Sequence, residues 1–114
     1  VQASARLGGH IVNGHVDGIG TVIRIIRSPI ALDVSVPSDI FTYIAPKGSV
    51  AVNGVSLTIG PDPQNGVFRV FIIRHTWEHT NLKNLRVGSE VNIEIDILAK
   101  YIETLMQKGR GENQ

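Results

Sequence analysis

The sequence contains no cysteine. A disulfide scaffold, a cysteine-ligated zinc or iron–sulfur centre and a thiolate nucleophile are therefore excluded within this chain. Charge of one sign is not in excess either. Eleven Lys and Arg face ten Asp and Glu, a net charge of +1, so neither nucleic acid nor membrane is expected as a partner held by bulk charge. Aromatic residues are only 5%, which leaves few stacking platforms for bases, and no basic stripe makes up for them. No apolar run approaches the roughly 20 residues of a membrane helix. Walker and dinucleotide glycine patterns are missing. The chain opens on Val1 without a basic-then-apolar leader, as expected of a processed, trimmed or excised chain.

What is present is a single-domain composition. The 114 residues are 42% hydrophobic and 18% charged, enough for one core and too apolar for disorder. Twelve glycines, five prolines and an excess of Val and Ile over Leu point to short strands joined by tight turns. Residues 1–7 lack periodicity and read as a tail or linker remnant. From Gly8, apolar residues alternate with glycines, leading into a strand over Thr21–Arg27 and a turn at Ser28-Pro29. Ile30–Val36 alternates apolar and polar residues, the period-two pattern of a half-buried strand. Ser38 is placed to cap a short helical turn over Ile40–Ile44. Ser49–Asn53 and Val55–Ile59 read as one strand broken at Asn53-Gly54. Gly60–Gly66 reads as a hairpin loop and Val67–Ile73 as an apolar strand. His75–Leu85 reads as polar and irregular, and Ser89–Ile97 as a strand. Leu98–Lys108 has helical apolar spacing, with Gly109 ending the helix and 109–114 fraying. Such a series of short strands suggests a small antiparallel barrel or sandwich.

Five groups of residues can carry chemistry. In Gly8-Gly9-His10 and Gly14-His15, glycines admit a close ligand or backbone. Residues five apart on a regular strand face opposite ways, so at most one of the two histidines faces a pocket unless Gly14 marks a bulge. Ser56 and Thr58 alternate onto one face, with Val55 and Leu57 on the other. Their hydroxyls suit a heterocycle's carbonyls and ring nitrogens; the alternative is a solvated outer face. His75-Thr76-Trp77-Glu78-His79 matches H-x-x-E-H, a zinc-peptidase pattern that needs a helix. The segment is short and threonine-flanked, so a chance match is expected and no metal site. Glu94 and Asp96 share a strand face, where paired carboxylates do acid–base work if buried. A solvated face is expected for Glu94, while Asp96 lies near the strand end. Lys47 occupies the turn Pro46-Lys47-Gly48, where most lysines are simply solvated.

Taken together, RLGGHIVNGHVDGIGTV, PKGSVAVNGVSLTI, HTWEHTNL and VGSEVNIEIDILAKYIE resemble, in order and spacing, the carboxy-terminal half of riboflavin synthase. The resemblance spans Arg6 to about Leu105. It implies an all-β fold: a six-stranded antiparallel Greek-key barrel over residues 8–97, with a short helical turn and one C-terminal oligomerisation helix over 98–108. It implies an enzyme, riboflavin synthase, that uses no metal or redox cofactor: two molecules of 6,7-dimethyl-8-ribityllumazine exchange a four-carbon unit, giving riboflavin and 5-amino-6-ribitylamino-uracil. The ring system is the electron sink, and its C7 methyl is acidic enough to lose a proton. The protein's part is proximity with acid–base help.

Carried onto this sequence, the family's pocket uses Gly14, His15, Val16, Lys47, Ser56, Leu57, Thr58, Ile73, Arg74, His75, Thr76, Trp77 and Glu78. His15, Ser56 and Asp96 match positions that assist proton transfer. Arg74 stands where the family commonly has Pro, and Trp77 where it commonly has Leu. The partners implied are the lumazine, riboflavin and the first-half barrel of another subunit, in a homo-oligomer that is a trimer in the family. The compartment implied is the cytoplasm, or an organelle in a plant. The alternative is a non-catalytic lumazine- or flavin-binding module resembling lumazine protein.

Overall fold

The computed structural model describes residues 6–7, 10–11 and 16–112. Six strands close into an antiparallel barrel: β3 (Gly18–Arg27), β4 (Ile30–Ser35), β5 (Ser49–Val52), β6 (Val55–Ile59), β7 (Val67–Phe71) and β8 (Glu90–Ile95). Their order around the barrel is β3-β4-β7-β6-β5-β8. Before them, β1 (Arg6–Leu7) pairs with β2 (His10–Ile11), so Arg6 and Leu7, read as tail, belong to a two-stranded ribbon.

Period two sorts each barrel strand into two faces. The inward residues include Val22, Leu32, Val34, Val50, Val52, Val55, Ile59, Phe68, Val70, Val91 and Ile93, all at most 2% exposed. Their burial removes apolar surface from water, and that is what closes the sheet. Gly20 is part of this packing. A Cβ there would lie 2.8 Å from Val34 Cγ1 and 3.2 Å from Ile93 Cγ1, so only glycine lets β3 cross the core at that point.

The connections hold most of the differences from the sequence reading. Asn53-Gly54 does not break one strand. It reverses the chain, and β5 pairs back onto β6 from Val52↔Val55 to Ser49↔Thr58. Asn53 at φ 50° and Gly54 at φ 84° have the paired positive values of a two-residue hairpin turn. Asn65-Gly66 repeats the device, with φ 56° and 76°. Between β4 and β5, α1 (Ser38–Phe41) covers one barrel end with buried Ile40. Its N-cap is Pro37, and Ser38 makes no capping bond.

His75–Leu85 is helical rather than irregular. Here α2 (Arg74–Glu78) is followed by a 3₁₀ turn over Asn81–Asn84. Buried Thr76 and Leu82, with Trp77 packed on the core, hold these short pieces by tertiary contact where propensity alone would not. The turn is capped by Thr80, whose Oγ1 accepts from the Leu82 N–H at 3.2 Å.

Finally α3 (Ile97–Glu112) starts one residue earlier than expected and runs past Gly109. Asp96 caps it, accepting from the Leu98 N–H at 2.9 Å. Lys100 pins the first turn to the barrel through Asp17 at 2.6 Å, and Asp17 also accepts from the Ile95 N–H. Beyond Lys100 every described side chain up to Lys108 is exposed. Among the described residues, no helix is long and apolar enough to cross a membrane.

Candidate functional site

The outer faces of the strands carry the residues singled out by spacing. On β6, Ser56 and Thr58 point outward while Leu57 is buried in the core. Leu57, expected in the pocket, therefore directs its side chain away from the outer face. Across the ladder Thr58 faces Ser49 on β5, and Ser56 faces Ala51, which in turn faces Glu94 on β8. Strands lie about 4.8 Å apart, so Ser56 and Glu94 stand about 10 Å from one another across β5. Glu94, expected to be fully solvated, is half-buried, with its Oε1 shielded from solvent.

One residue beyond β8, Asp96 follows Ile95, which pairs with Val50. That register brings Asp96 to the same end of β5 as Ser49. Lys47 reaches this end too. Its backbone is left-handed at φ 65°, and its N–H donates to the Ile59 carbonyl at 3.0 Å. The Ile59 N–H donates in turn to the Gly48 carbonyl at 2.8 Å, so the turn is clamped against the end of β6. Lys47, Ser49, Ser56, Thr58, Glu94 and Asp96 thus form one polar patch on three adjacent strands.

On its other side Thr58 faces Phe71 of β7. There the patch passes into an open cleft of about 480 Å³, within the range of small-molecule sites. Its floor is apolar: Phe71, Ile72 and Ile73 on one side, Pro29 and Ile30 on the other, with Arg27 and Arg74 also lining it. Phe71 and Ile73 keep 41% and 71% of their surface exposed and so offer the cleft an apolar face. Thr58 belongs to both the patch and the cleft, so a ligand with a polar tail and a flat apolar body can span the two.

The segment Ile73 to Glu78 is divided by α2. Ile73 and Arg74 border the cleft, whereas Thr76 is buried beneath the helix and Trp77 packs on the core. His75 and Glu78 are exposed. The helix does align the two histidines of H-x-x-E-H. Their rings stack at 4.1 Å, and His79 Nδ1 lies 2.8 Å from the His75 carbonyl. Among the described residues no third metal-ligating side chain joins them. Val16 is half-buried just ahead of β3, while Gly14 and His15 lie outside the described residues.

Spacing alone missed Arg27, Pro29, Ile30 and Phe71. Only Phe71 had a readable sign, since Val67, Arg69 and Phe71 are the outward positions of β7. A second groove of about 360 Å³ lies on the β4–β7 outer wall beside the 60–66 loop. Its floor is the cross-strand pair Asp33–Arg69, bidentate at 2.7 and 3.0 Å. The hydrogen bond to Asp33 raises the Arg69 pKa, against an opposing contribution from burial.

Comparison with known proteins agrees with this geometry. The chain is 44% identical to riboflavin synthase of Photobacterium leiognathi over 113 residues, covering 97% of this chain and 51% of that protein. It is 40% identical to riboflavin synthase of Mycobacterium bovis over 109 residues, covering 90% of this chain and 53% of the relative. The chain therefore spans about half the length of the curated relatives it matches. Among solved structures, LumP in complex with 6,7-dimethyl-8-(1'-D-ribityl) lumazine superposes with a TM-score of 0.70 at 25% identity, covering 78% of this chain and 51% of LumP. The family described as Lumazine binding domain matches residues 13–96, most of the chain and all of the closed barrel, and the protein belongs to that family.

Proposed function

We propose that this chain is one lumazine-binding barrel of a riboflavin synthase, binding 6,7-dimethyl-8-ribityllumazine and contributing to its dismutation. The observation that carries the reading is the meeting of Lys47, Thr58 and Asp96 at one barrel end beside an apolar cleft, with Ser56 further along the same outward face of β6. The pteridine ring lies over Phe71 and Ile73, and the ribityl hydroxyls reach Ser56, Thr58 and Lys47. Riboflavin, the product, occupies the same place.

In the reaction, one lumazine gives up a four-carbon unit to a second, yielding riboflavin and 5-amino-6-ribitylamino-uracil. The ring accepts electron density, so the step uses no metal or redox cofactor. The chain positions the ring, and His15, Ser56 and Asp96 are the groups for moving the C7-methyl proton. Asp96 spends Oδ1 on the α3 cap and has Oδ2 for this task.

This cleft has room for one ring, and the reaction needs two stacked rings. The second ring comes from a first-half barrel of another subunit. The exposed stripe Tyr101, Ile102, Leu105 and Met106 on α3 suits a helix-mediated homo-oligomer, a trimer. Small water-soluble substrates fit a cytoplasmic setting, or an organelle in a plant.

The test is riboflavin absorbance after mixing the chain with the lumazine over a range of chain concentrations. At dilutions where light scattering finds monomer, turnover should be close to nil, since losing the oriented pair forfeits about 7–11 kcal/mol. The rate should rise with the square of chain concentration. Ligand binding with no riboflavin at any concentration, even with a first-half barrel added, would favour a carrier resembling LumP instead.

A further inference from the structure

We propose that the outer cleft binds the lumazine ring preferentially as its anion, with the guanidinium groups of Arg27 and Arg74 supplying the complementary charge. The inference rests on the assignment of this cleft to the lumazine ring. Its starting point is the charge of the lining. Arg27 enters from the end of β3 and Arg74 from the start of α2, so the two cations reach the cleft from separate elements. No carboxylate is among the described residues that line it.

Neither arginine is committed elsewhere. Arg74 meets Glu78 at 3.5 Å with both side chains largely exposed, a contact of little worth that a ligand can replace. Among the described residues no ion pair involves Arg27. Arg69 differs, since Asp33 holds it in a bidentate pair on the neighbouring wall.

The ligand has a matching property. Removing a proton from the C7 methyl of the lumazine leaves a negative charge spread through the ring to the pyrimidinedione oxygens. Over the apolar floor of Phe71 and Ile73 that charge loses part of its water, and the two guanidinium groups replace it. The opposing groups are Glu78 beside Arg74, and Glu94 and Asp96 beyond β5, with Lys47 partly offsetting the latter two. The proton passes to solvent base, so the equilibrium needs no co-reactant.

The experiment is a spectrophotometric pH titration of 6,7-dimethyl-8-ribityllumazine, alone and with the full chain in excess. Ligand fluorescence polarisation in the same cuvette reports occupancy. The pKa of bound lumazine should fall by about one unit below the free value, because opposite charges within about 6 Å shift a group by one unit or more. Raising salt from about 0.1 M to about 1 M should remove most of the shift, as the screening length falls from about 10 Å to about 3 Å. Arg27→Gln and Arg74→Gln should each return part of it, and Arg27→Lys should keep it. A bound ligand whose pKa is unchanged or raised would overturn the inference and leave the site assignment standing. Absence of polarisation at every concentration would overturn both. The salt comparison uses the unaltered chain, so it decides even where a variant fails to fold.

Discussion

Phe68 and Phe71 lie three residues apart on β7 and face opposite ways, so replacing each by Ala separates core from site. Phe68 is 1% exposed inside the barrel, and its loss should cost about 3–5 kcal/mol of stability. Phe71 is 41% exposed on the outer face, so somewhat more than half of its side chain is buried. Full burial of a phenyl side chain is worth about 1.5–3 kcal/mol, which sets the cost of Phe71→Ala at about 1–2 kcal/mol. No sealed cavity forms at an open cleft, so no further penalty is added. The ligand should feel the opposite ranking. Phe71 floors the cleft, and an aromatic contact beyond simple area is worth about 0.5–1.5 kcal/mol, or about two- to twelvefold in Kd. Urea unfolding followed by the fluorescence of Trp77 gives the stability of each variant, and fluorescence titration with lumazine gives affinity. Equal destabilisation by the two substitutions would refute the inside–outside assignment of β7. A folded Phe71→Ala chain binding lumazine as well as the parent would refute the cleft as the ring site.

Other substitutions test neighbouring parts of the account. Ser56→Ala and Thr58→Val should each weaken lumazine binding by about 0.5–1.5 kcal/mol in a titration while leaving the unfolding midpoint nearly in place. Gly20→Ala should destabilise by about 1–3 kcal/mol in urea, because the added methyl meets Val34 at 2.8 Å inside the core. Asp33→Asn should cost at most about 1 kcal/mol, since Arg69 stays 41% exposed, and a double-mutant cycle with Arg69→Gln should assign that loss to the pair.

The alternating strands were legible because burial repeats every second residue in Glu90–Ile95 and, apart from the small buried Ala31, in Ile30–Ser35. The hairpin at Asn53-Gly54 was harder to read. Val50 to Val52 and Val55 are all buried, so two strands look like one apolar run, and only the positive φ values mark the reversal. Short α2 had no helical signature of its own, because its order comes from packing of Thr76, Trp77 and the following Leu82 on the barrel. The sequence also overstated Gly109 as a stop. A glycine costs a helix about 1 kcal/mol and does not oblige it to end. Within the site, Ser56 and Thr58 were readable from local alternation. Arg27 and Pro29 were not, since their approach to Phe71 depends on the β4–β7 register between distant segments.

The central claim is that lumazine binds the outer face where β5, β6 and β7 meet α2. Backbone amide NMR of the chain titrated with 6,7-dimethyl-8-ribityllumazine tests it most directly. The account predicts saturable shifts at one ligand per chain, concentrated at Lys47, Ser49, Ser56, Thr58, Phe71, Ile73 and Arg74. Shifts concentrated instead in the groove around Asp33, Gln64 and Arg69, or no saturable shifts at all, would contradict it.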